Sequence, residues 1–277
     1  MERAAGAGID SPGRLRRDPD WLTLPAATGR WWTLDLPVKA LRTDLTARIW
    51  SPAEPTDHVL VAHDGPDYDE HADLGRFVAA SITAGRIEPC HLVLLPAGNR
   101  NDWYAAYPSY ARGLGREILP RLAGRLSSGR PVAAIGASLG ALALLHCQRT
   151  HPELLGGLFL QSGSYFQPRF DKKESKFARY LPIVRWTGRV LRGTDGPDAG
   201  TPVPTTMTCG RLEENLANNR SMAEALRAQG YPVTFAQIEG GHDWPAWRDA
   251  FDPHLTSLLR RLYPRPSRHP AHHPSAD

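Results

Sequence analysis

The stretch that most constrains the fold is residues 133–140, where a short apolar run ends in the pentapeptide Gly-Ala-Ser-Leu-Gly and the apolar segment 141–145 follows. This pattern predicts a buried strand, a sharp turn with Ser138 at its tip, and a helix that starts directly after the turn. A serine at a helix N-terminus lies where developing negative charge is favoured, so Ser138 is a candidate nucleophile. The alternative is a small-residue turn with an N-capping serine.

Further buried strands are predicted before and after this turn. Apolar runs indicate them at residues 58–62, 90–95, 157–161, 203–210 and 233–238, and helical patterns lie at 73–84, 110–126, 216–229 and 246–262, the last kinked at Pro253. Period-two alternation at residues 31–36 and 45–50 predicts an antiparallel hairpin at a sheet edge. Strands that alternate with helices predict an α/β fold, a three-layer sandwich with a mostly parallel central sheet and helices on both faces.

The domain organisation follows from composition. Residues 1–30 are rich in Gly, Pro, Ala and charge, which predicts an irregular N-terminal arm anchored by Trp21 and Leu22. Residues 31–263 show no compositional break and predict one domain. The Pro- and His-rich residues 264–277 predict a disordered tail. The segment 167–199 has an irregular pattern.

Charge and cysteine content narrow the classes of function. A formal net charge of +4 is small for 277 residues, and without an interleaved aromatic and basic cluster it argues against a nucleic-acid partner. The three cysteines lie far apart in or beside apolar runs, so buried free thiols in a reducing compartment are expected, with no metal site and no disulfide framework. The N-terminus has no apolar leader and no run is long enough for a bilayer, which predicts a cytoplasmic protein without a membrane partner.

Two further polar residues follow predicted strands in an order that suits nucleophilic catalysis. A serine hydroxyl needs a base, usually a histidine oriented by a carboxylate, and one arrangement runs Ser, then Asp or Glu, then His along the chain. Here the order is Ser138, Glu213, His242, each just after a strand. Glu214 is the second choice for the acid, and solvent exposure at a helix start is the alternative for both glutamates.

Acyl transfer also needs donors for an oxyanion. The N–H of Leu139, directly after the candidate nucleophile, is one. The other is expected from the loop after the strand at 58–62, where Pro66 has no N–H, so either Gly65 or Asp67 donates or the oxyanion site has a different geometry. His63 ends the same strand but precedes the serine, and it is predicted to line the pocket.

Together these motifs resemble the esterase D-like branch of the α/β-hydrolases, and within it the catalytic domain of enterochelin esterases. The resemblance covers roughly residues 30–263 and rests on five motifs: Asp64-Gly65, the pentapeptide around Ser138, Gln161-Ser162-Gly163-Ser164, Gly210-Arg211-Leu212-Glu213, and Gly240-Gly241-His242-Asp243-Trp244 with Trp247-Arg248. It implies an α/β-hydrolase sheet with Ser138 as nucleophile, His242 as base and Glu213 as acid. It also implies an oxyanion site at Leu139 and the Asp64-Gly65 loop.

The resemblance further implies a substrate pocket. Arg100 and Asp102 match a pocket region of such esterases, an ordinary surface ion pair being the alternative, and Asp64 and Trp244 are assigned to the same pocket. The implied activity is hydrolysis of a small-molecule carboxylic ester through an acyl-enzyme, with no cofactor. Two alternatives remain open for the function, acyl transfer to an alcohol and a catalytically silent binding protein. A homodimer is also possible. The basic segment 172–192 is either a solvent-exposed cover or a surface for an anionic substrate.

Overall fold

The structure, a computed structural model, describes residues 18–129, 131–194 and 201–265. Most of the predicted arm, residues 1–17, and most of the predicted tail, residues 266–277, lie outside these ranges. Of the arm, the structure describes a 3-10 turn at Asp20–Leu22. Trp21 in this turn is fully buried, with its ring 5.3 Å from that of Phe77, so it anchors the chain that enters the domain.

One sheet of eight strands organises the described residues. The strands are β1 Gly29–Val38, β2 Thr43–Pro52, β3 Val59–Ala62, β4 His91–Leu94, β5 Val132–Ala137, β6 Leu155–Gln161, β7 Thr205–Gly210 and β8 Val233–Ile238. Their order across the sheet is β1-β2-β4-β3-β5-β6-β7-β8. β1 pairs antiparallel with β2, and β2 with β4, whereas the remaining neighbours are parallel. The predicted edge hairpin and the mostly parallel sheet are therefore confirmed.

Helices cover both faces of this sheet. They are α1 Gly65–Ala72, α2 Leu74–Thr83, α3 Arg100–Trp103, α4 Pro108–Gly113, α5 Leu119–Arg125, α6 Leu139–Thr150, α7 Tyr180–Leu191, α8 Leu216–Ala228, α9 Trp244–Asp249 and α10 Thr256–Leu262. A π-helical segment joins α4 to α5, so one almost continuous helix corresponds to the prediction at 110–126. α1 was not predicted from the sequence.

Two hydrophobic clusters lie on opposite faces of the sheet. Along β3, Val59 and Val61 belong to one cluster, and Leu60 and Ala62 to the other, because successive strand side chains point to opposite faces. The first cluster packs against α4 to α8 and the second against α1, α2, α9 and α10. Cys90, Cys147 and Cys209 are buried free thiols, as expected.

The segment 167–199 differs from the irregular interpretation, because it contains the twelve-residue helix α7. The buried side chains of α7 recur at helical spacing, at Tyr180, Ile183, Trp186, Thr187 and Val190. Its proline lies in the first turn, where a helix loses no hydrogen bond. Arg185 and Arg189 of the basic segment thus lie on the exposed side of a helix whose other side is packed on the core, whereas its lysines precede this helix.

The last helical stretch is interrupted, as predicted, at Pro253. Asp252 has extended backbone angles (φ −111°, ψ 123°), because the residue before a proline is pushed out of the helical region. α9 therefore ends before Pro253 and α10 begins after it. α9 starts two residues after His242. In the described ranges, every helix is too short or too polar to cross a bilayer.

Candidate active site

The turn between β5 and α6 holds Ser138 in a strained conformation. Its backbone angles are φ 56° and ψ −121°, a region that costs a non-glycine residue about 1–3 kcal/mol. The turn is tight enough that a Cβ on Gly136 would lie 2.7 Å from the carbonyl carbon of Gly140. The glycine at position 136 is therefore required by the close approach of strand and helix. The result is a serine presented at the carboxyl end of β5, at the N-terminus of α6.

His63 supports this turn from beneath. Its Nδ1 lies 3.3 Å from the carbonyl oxygen of Gly140, its Nε2 lies 3.1 Å from the hydroxyl of Tyr110, and its ring stacks on Tyr104. The side chain is completely buried, and this burial lowers the pKa of His63 to about 3. None of its surface reaches the cavity, so the prediction of a pocket-lining histidine does not describe this residue.

Glu213 and His242 meet across the loops that follow β7 and β8. The Nδ1 atom of His242 lies 2.8 Å from Oε2 of Glu213. The glutamate side chain is only 1% exposed, whereas the imidazole is 43% exposed. With the proton on Nδ1 donated to the carboxylate, Nε2 carries the lone pair that a general base needs.

The other carboxylate oxygen of Glu213 accepts two hydrogen bonds. The N–H of Gly210 donates at 2.7 Å and the hydroxyl of Ser162 donates at 2.6 Å. The indole N–H of Trp247 in turn donates to the Ser162 hydroxyl at 3.0 Å. Gly210, Ser162 and Trp247 are buried. Because both oxygens of the Glu213 carboxylate are hydrogen-bonded, its orientation is fixed.

Glu214 lies in a different environment. Its side chain is 77% exposed and forms an ion pair with Lys173 at 2.7 Å. Asp243, the neighbour of His242, caps α9 by accepting a hydrogen bond from the N–H of Ala246. Of these three carboxylates, Glu213 is the one whose oxygen contacts His242.

Ser138 and His242 line one cavity of about 420 Å³. The hydroxyl of Ser138 lies 3.1 Å from that of Ser164, which follows β6. The cavity is lined further by Phe166, Phe170, Asp171 and Phe177 from the segment after β6, and by Glu213 and Asn215 from the loop after β7. Four loops at the carboxyl ends of the parallel strands thus meet at one site, as expected for an open α/β sheet.

The backbone N–H groups near Ser138 differ in whether they are already hydrogen-bonded. Leu139 is the first residue of α6, where N–H groups lack intrahelical acceptors. By contrast, the N–H of Gly65 donates to the carbonyl of Leu95 at 2.9 Å, and a Cβ on Gly65 would lie 2.3 Å from the backbone of Leu94. The N–H of Gly65 is thus already bonded to the residue that follows β4. Of the two candidate oxyanion donors in this loop, Asp67 is left.

The other residues assigned to the pocket lie beside the turn. Asp64 is buried and accepts a hydrogen bond from Nε of Arg100 at 3.0 Å, and burial raises the pKa of this carboxyl group. Asp102 is paired with Arg179 at 2.6 Å on the surface. The ring of Trp244 packs against Trp247 at 4.9 Å. Substrate contact by these four residues stays a prediction.

Several site residues were not assigned from the sequence. Ser162 and Ser164 belong to the motif Gln161-Ser162-Gly163-Ser164, and their position directly after a strand is the signal for a role. Phe170, Asp171 and Phe177 lie in the segment interpreted as irregular, whose pattern carried no functional signal, and Phe166 lies just before it. Tertiary packing of α7 brings this segment over the carboxyl ends of the strands.

The eight-stranded sheet, the strained serine turn and the loops that gather at the strand ends define an α/β-hydrolase. Residues 39–258 match the Esterase family, described as "Putative esterase", and the chain belongs to this family. It is accordingly a carboxylic-ester hydrolase.

The chain is also similar to curated proteins and to solved structures. The Bacillus subtilis (strain 168) "Uncharacterized protein YjcH" is 24% identical over 243 residues, which cover 80% of this chain and 94% of that protein. The iron(III) enterobactin esterase of Dickeya dadantii (strain 3937) is 28% identical over 245 residues, 81% of this chain and 54% of that esterase. The chain therefore spans about half the length of this second relative.

Among solved structures, the enterobactin esterase FES from Shigella flexneri superposes with a TM-score of 0.74 at 18% identity. The match covers 92% of this chain and 65% of that one. A ferulic acid esterase gives a TM-score of 0.67 at 18% identity, with 84% and 98% covered. At these identities the likeness establishes the fold.

Proposed function

We propose that this esterase hydrolyses its substrate through an acyl-enzyme, with Ser138 as nucleophile, His242 as general base and Glu213 as the orienting acid. The observation that carries the proposal is the 2.8 Å contact between His242 Nδ1 and the buried Glu213 carboxylate. It favours the tautomer with a free Nε2 at the cavity that Ser138 also lines. The substrate is a small-molecule ester.

In the acylation step, the Ser138 hydroxyl oxygen attacks the ester carbonyl carbon while His242 Nε2 takes the hydroxyl proton. The carbonyl π electrons move to oxygen, and this oxyanion accepts a hydrogen bond from the N–H of Leu139. When the tetrahedral intermediate collapses, the bond to the alcohol oxygen breaks. His242 returns its proton to that oxygen, and the alcohol leaves.

In the second step, water attacks the acyl carbon and His242 takes a proton from it. Collapse restores the Ser138 hydroxyl and releases the carboxylic acid. We propose Asp67 N–H as the second oxyanion donor, because Pro66 has no N–H and the N–H of Gly65 is bonded to Leu95. The N-terminus of α6 adds its dipole to the stabilisation of the oxyanion.

The test combines turnover with covalent labelling. Ser138→Ala should abolish hydrolysis of p-nitrophenyl butyrate while the circular dichroism spectrum stays unchanged. A fluorophosphonate should label the wild type at one peptide that contains Ser138. Ser164→Ala is the matched control, since it removes the neighbouring hydroxyl and leaves the nucleophile, and it should still be labelled.

Labelling of Ser164 in the Ser138→Ala variant would assign the nucleophile to Ser164. Unchanged turnover by Ser138→Ala would contradict the mechanism altogether. Product analysis with and without an added alcohol separates hydrolysis from acyl transfer. A cytoplasmic location and a homodimeric state stay predictions from the sequence.

A further inference from the structure

The cavity beside Ser138 has an aromatic wall. Phe166, Phe170 and Phe177 line it, and the rings of Phe166 and Phe177 stand nearly perpendicular, at 86° with centroids 6.5 Å apart. Phe166 also stacks on Tyr180, with centroids 5.9 Å apart, which fixes its orientation. The face of an aromatic ring carries negative charge density and attracts a cation placed over it.

Acidic side chains share this cavity with the rings. Asp171 lines the cavity, is only 7% exposed, and accepts hydrogen bonds from Asn218 Nδ2 at 2.8 Å and from the N–H of Gln167 at 2.6 Å. Both donors are neutral, so the charge of this carboxylate is not cancelled by them. Glu174 also lines the cavity and is exposed. Among the residues that the structure describes, neither carboxylate has an ion-pair partner.

The basic segment contributes little positive charge to the same space. Of its cationic side chains, Lys173 is the one that lines the cavity, and its ammonium group is paired with Glu214 at 2.7 Å. Arg179 is paired with Asp102 outside the cavity. Arg169, just before the segment, lies outside the cavity lining and over the ring of Phe170 at 4.4 Å, so this ring already makes one cation–π contact.

We propose that this pocket selects esters that carry a cationic group, a quaternary ammonium or a protonated amine, close to the scissile bond. The cation would lie against the faces of Phe166 and Phe177 and be attracted by Asp171 and Glu174. An ester with a carboxylate at the same position is repelled by these two side chains. The proposal rests on the proposed function, in which Ser138 at the end of this cavity is the nucleophile.

The first test compares esters whose ends differ in charge, with the cationic and neutral members of each pair matched in shape. The p-nitrophenyl esters of 4-(trimethylammonio)butanoic acid, 5,5-dimethylhexanoic acid and glutaric acid have acyl ends that are cationic, neutral and anionic. Acetylcholine and 3,3-dimethylbutyl acetate make the same comparison on the alcohol side. We expect kcat/KM to be at least tenfold higher for the cationic than for the neutral ester on one of the two sides, and lowest for the anionic ester.

Variants assign the selectivity to the two acids. Glu174→Gln and Asp171→Asn should each lower the cationic-to-neutral ratio of kcat/KM at least threefold. Because Asp171 holds two buried neighbours and its variant could fail to fold, the exposed Glu174 provides the independent measurement. Glu224→Gln is the matched control, since it removes one acidic charge on the exposed side of α8, outside the cavity lining, and should leave the ratio unchanged.

Binding separates failure of this proposal from failure of the mechanism. Titration calorimetry of the Ser138→Ala variant with phenyltrimethylammonium and with benzoate needs no turnover, and we expect the cation to bind at least tenfold more tightly. The cation-selective pocket would be overturned if the two ligands bound equally or if benzoate bound more tightly. It would also be overturned if the cationic and neutral esters were turned over equally in both the acyl and the alcohol series. Absence of turnover for every ester would overturn the proposed mechanism, and the titration alone would then decide on the pocket.

Discussion

Replacement of Ser162 by alanine tests the support of the Glu213 carboxylate. The Ser162 hydroxyl donates to Glu213 Oε1 at 2.6 Å and accepts from the Trp247 indole at 3.0 Å. A hydrogen bond to a charged acceptor contributes about 1.5–3 kcal/mol, and a buried indole N–H left without an acceptor costs about 1–3 kcal/mol. Ser162→Ala should therefore lower the free energy of unfolding by about 2.5–6 kcal/mol.

The catalytic effect should be distinct from the loss of stability. After the substitution, Glu213 Oε1 keeps one donor, the N–H of Gly210, so the carboxylate is less firmly oriented toward His242. A loss of about 1.4 kcal/mol in the stabilisation of the transition state corresponds to a tenfold fall in rate. We expect kcat for p-nitrophenyl butyrate to fall about tenfold while KM stays within about twofold, because Ser162 does not line the cavity.

A matched variant separates the lost hydroxyl from backbone strain. Ser162 has a positive φ of 50°, which glycine adopts without strain. Ser162→Gly thus relieves the strain but also lacks the hydroxyl, and its kcat should fall as far as that of Ser162→Ala. Wild-type kcat in Ser162→Gly, or an effect confined to KM, would refute the role of the hydroxyl in holding the acid. Urea denaturation at pH 7 measures the stability of each variant.

Three further outcomes are expected. Glu213→Gln should lower kcat about a thousandfold, whereas Glu214→Gln, which removes one side of an exposed ion pair, should change it less than about twofold; the reverse ranking would make Glu214 the acid. Because the pKa of folded His63 is lowered to about 3, the unfolded chain takes up a proton there as the pH falls below 6.5 and the folded chain does not. The free energy of unfolding should therefore fall by about 2 kcal/mol more between pH 7 and pH 5 in the wild type than in His63→Gln; parallel pH profiles would contradict this. Gly136→Ala should destabilise the fold by about 2 kcal/mol or more, measured by thermal denaturation, because its Cβ would meet the first turn of α6, whereas Gly124→Ala, with open space at its Cβ, should raise stability by about 0.5–1 kcal/mol; equal effects would contradict the close approach.

The central part of the fold could be predicted because its signals are local. The apolar runs that became β3 to β8 are short and bounded by turn residues, and glycine and proline punctuate the helices between them. The turn at Ser138 could be predicted because the pentapeptide lies between an apolar strand pattern and a helical pattern. α1 and α7 were not predicted, since α1 starts at a Gly-Pro pair and α7 carries a proline and exposed arginines that obscure its helical spacing.

The sequence by itself determined the α/β class, the position of Ser138 at a strand end, and the order Ser138, Glu213, His242 along the chain. These depend on hydrophobic periodicity and turn chemistry, which act over a few residues. Only the tertiary structure decided between Glu213 and Glu214, because adjacent side chains at a helix start diverge and packing buries one and exposes the other. It also decided that His63 lies beneath the serine turn, and that aromatic and acidic side chains from the loop before α7 line the cavity, since these contacts join residues far apart in the chain.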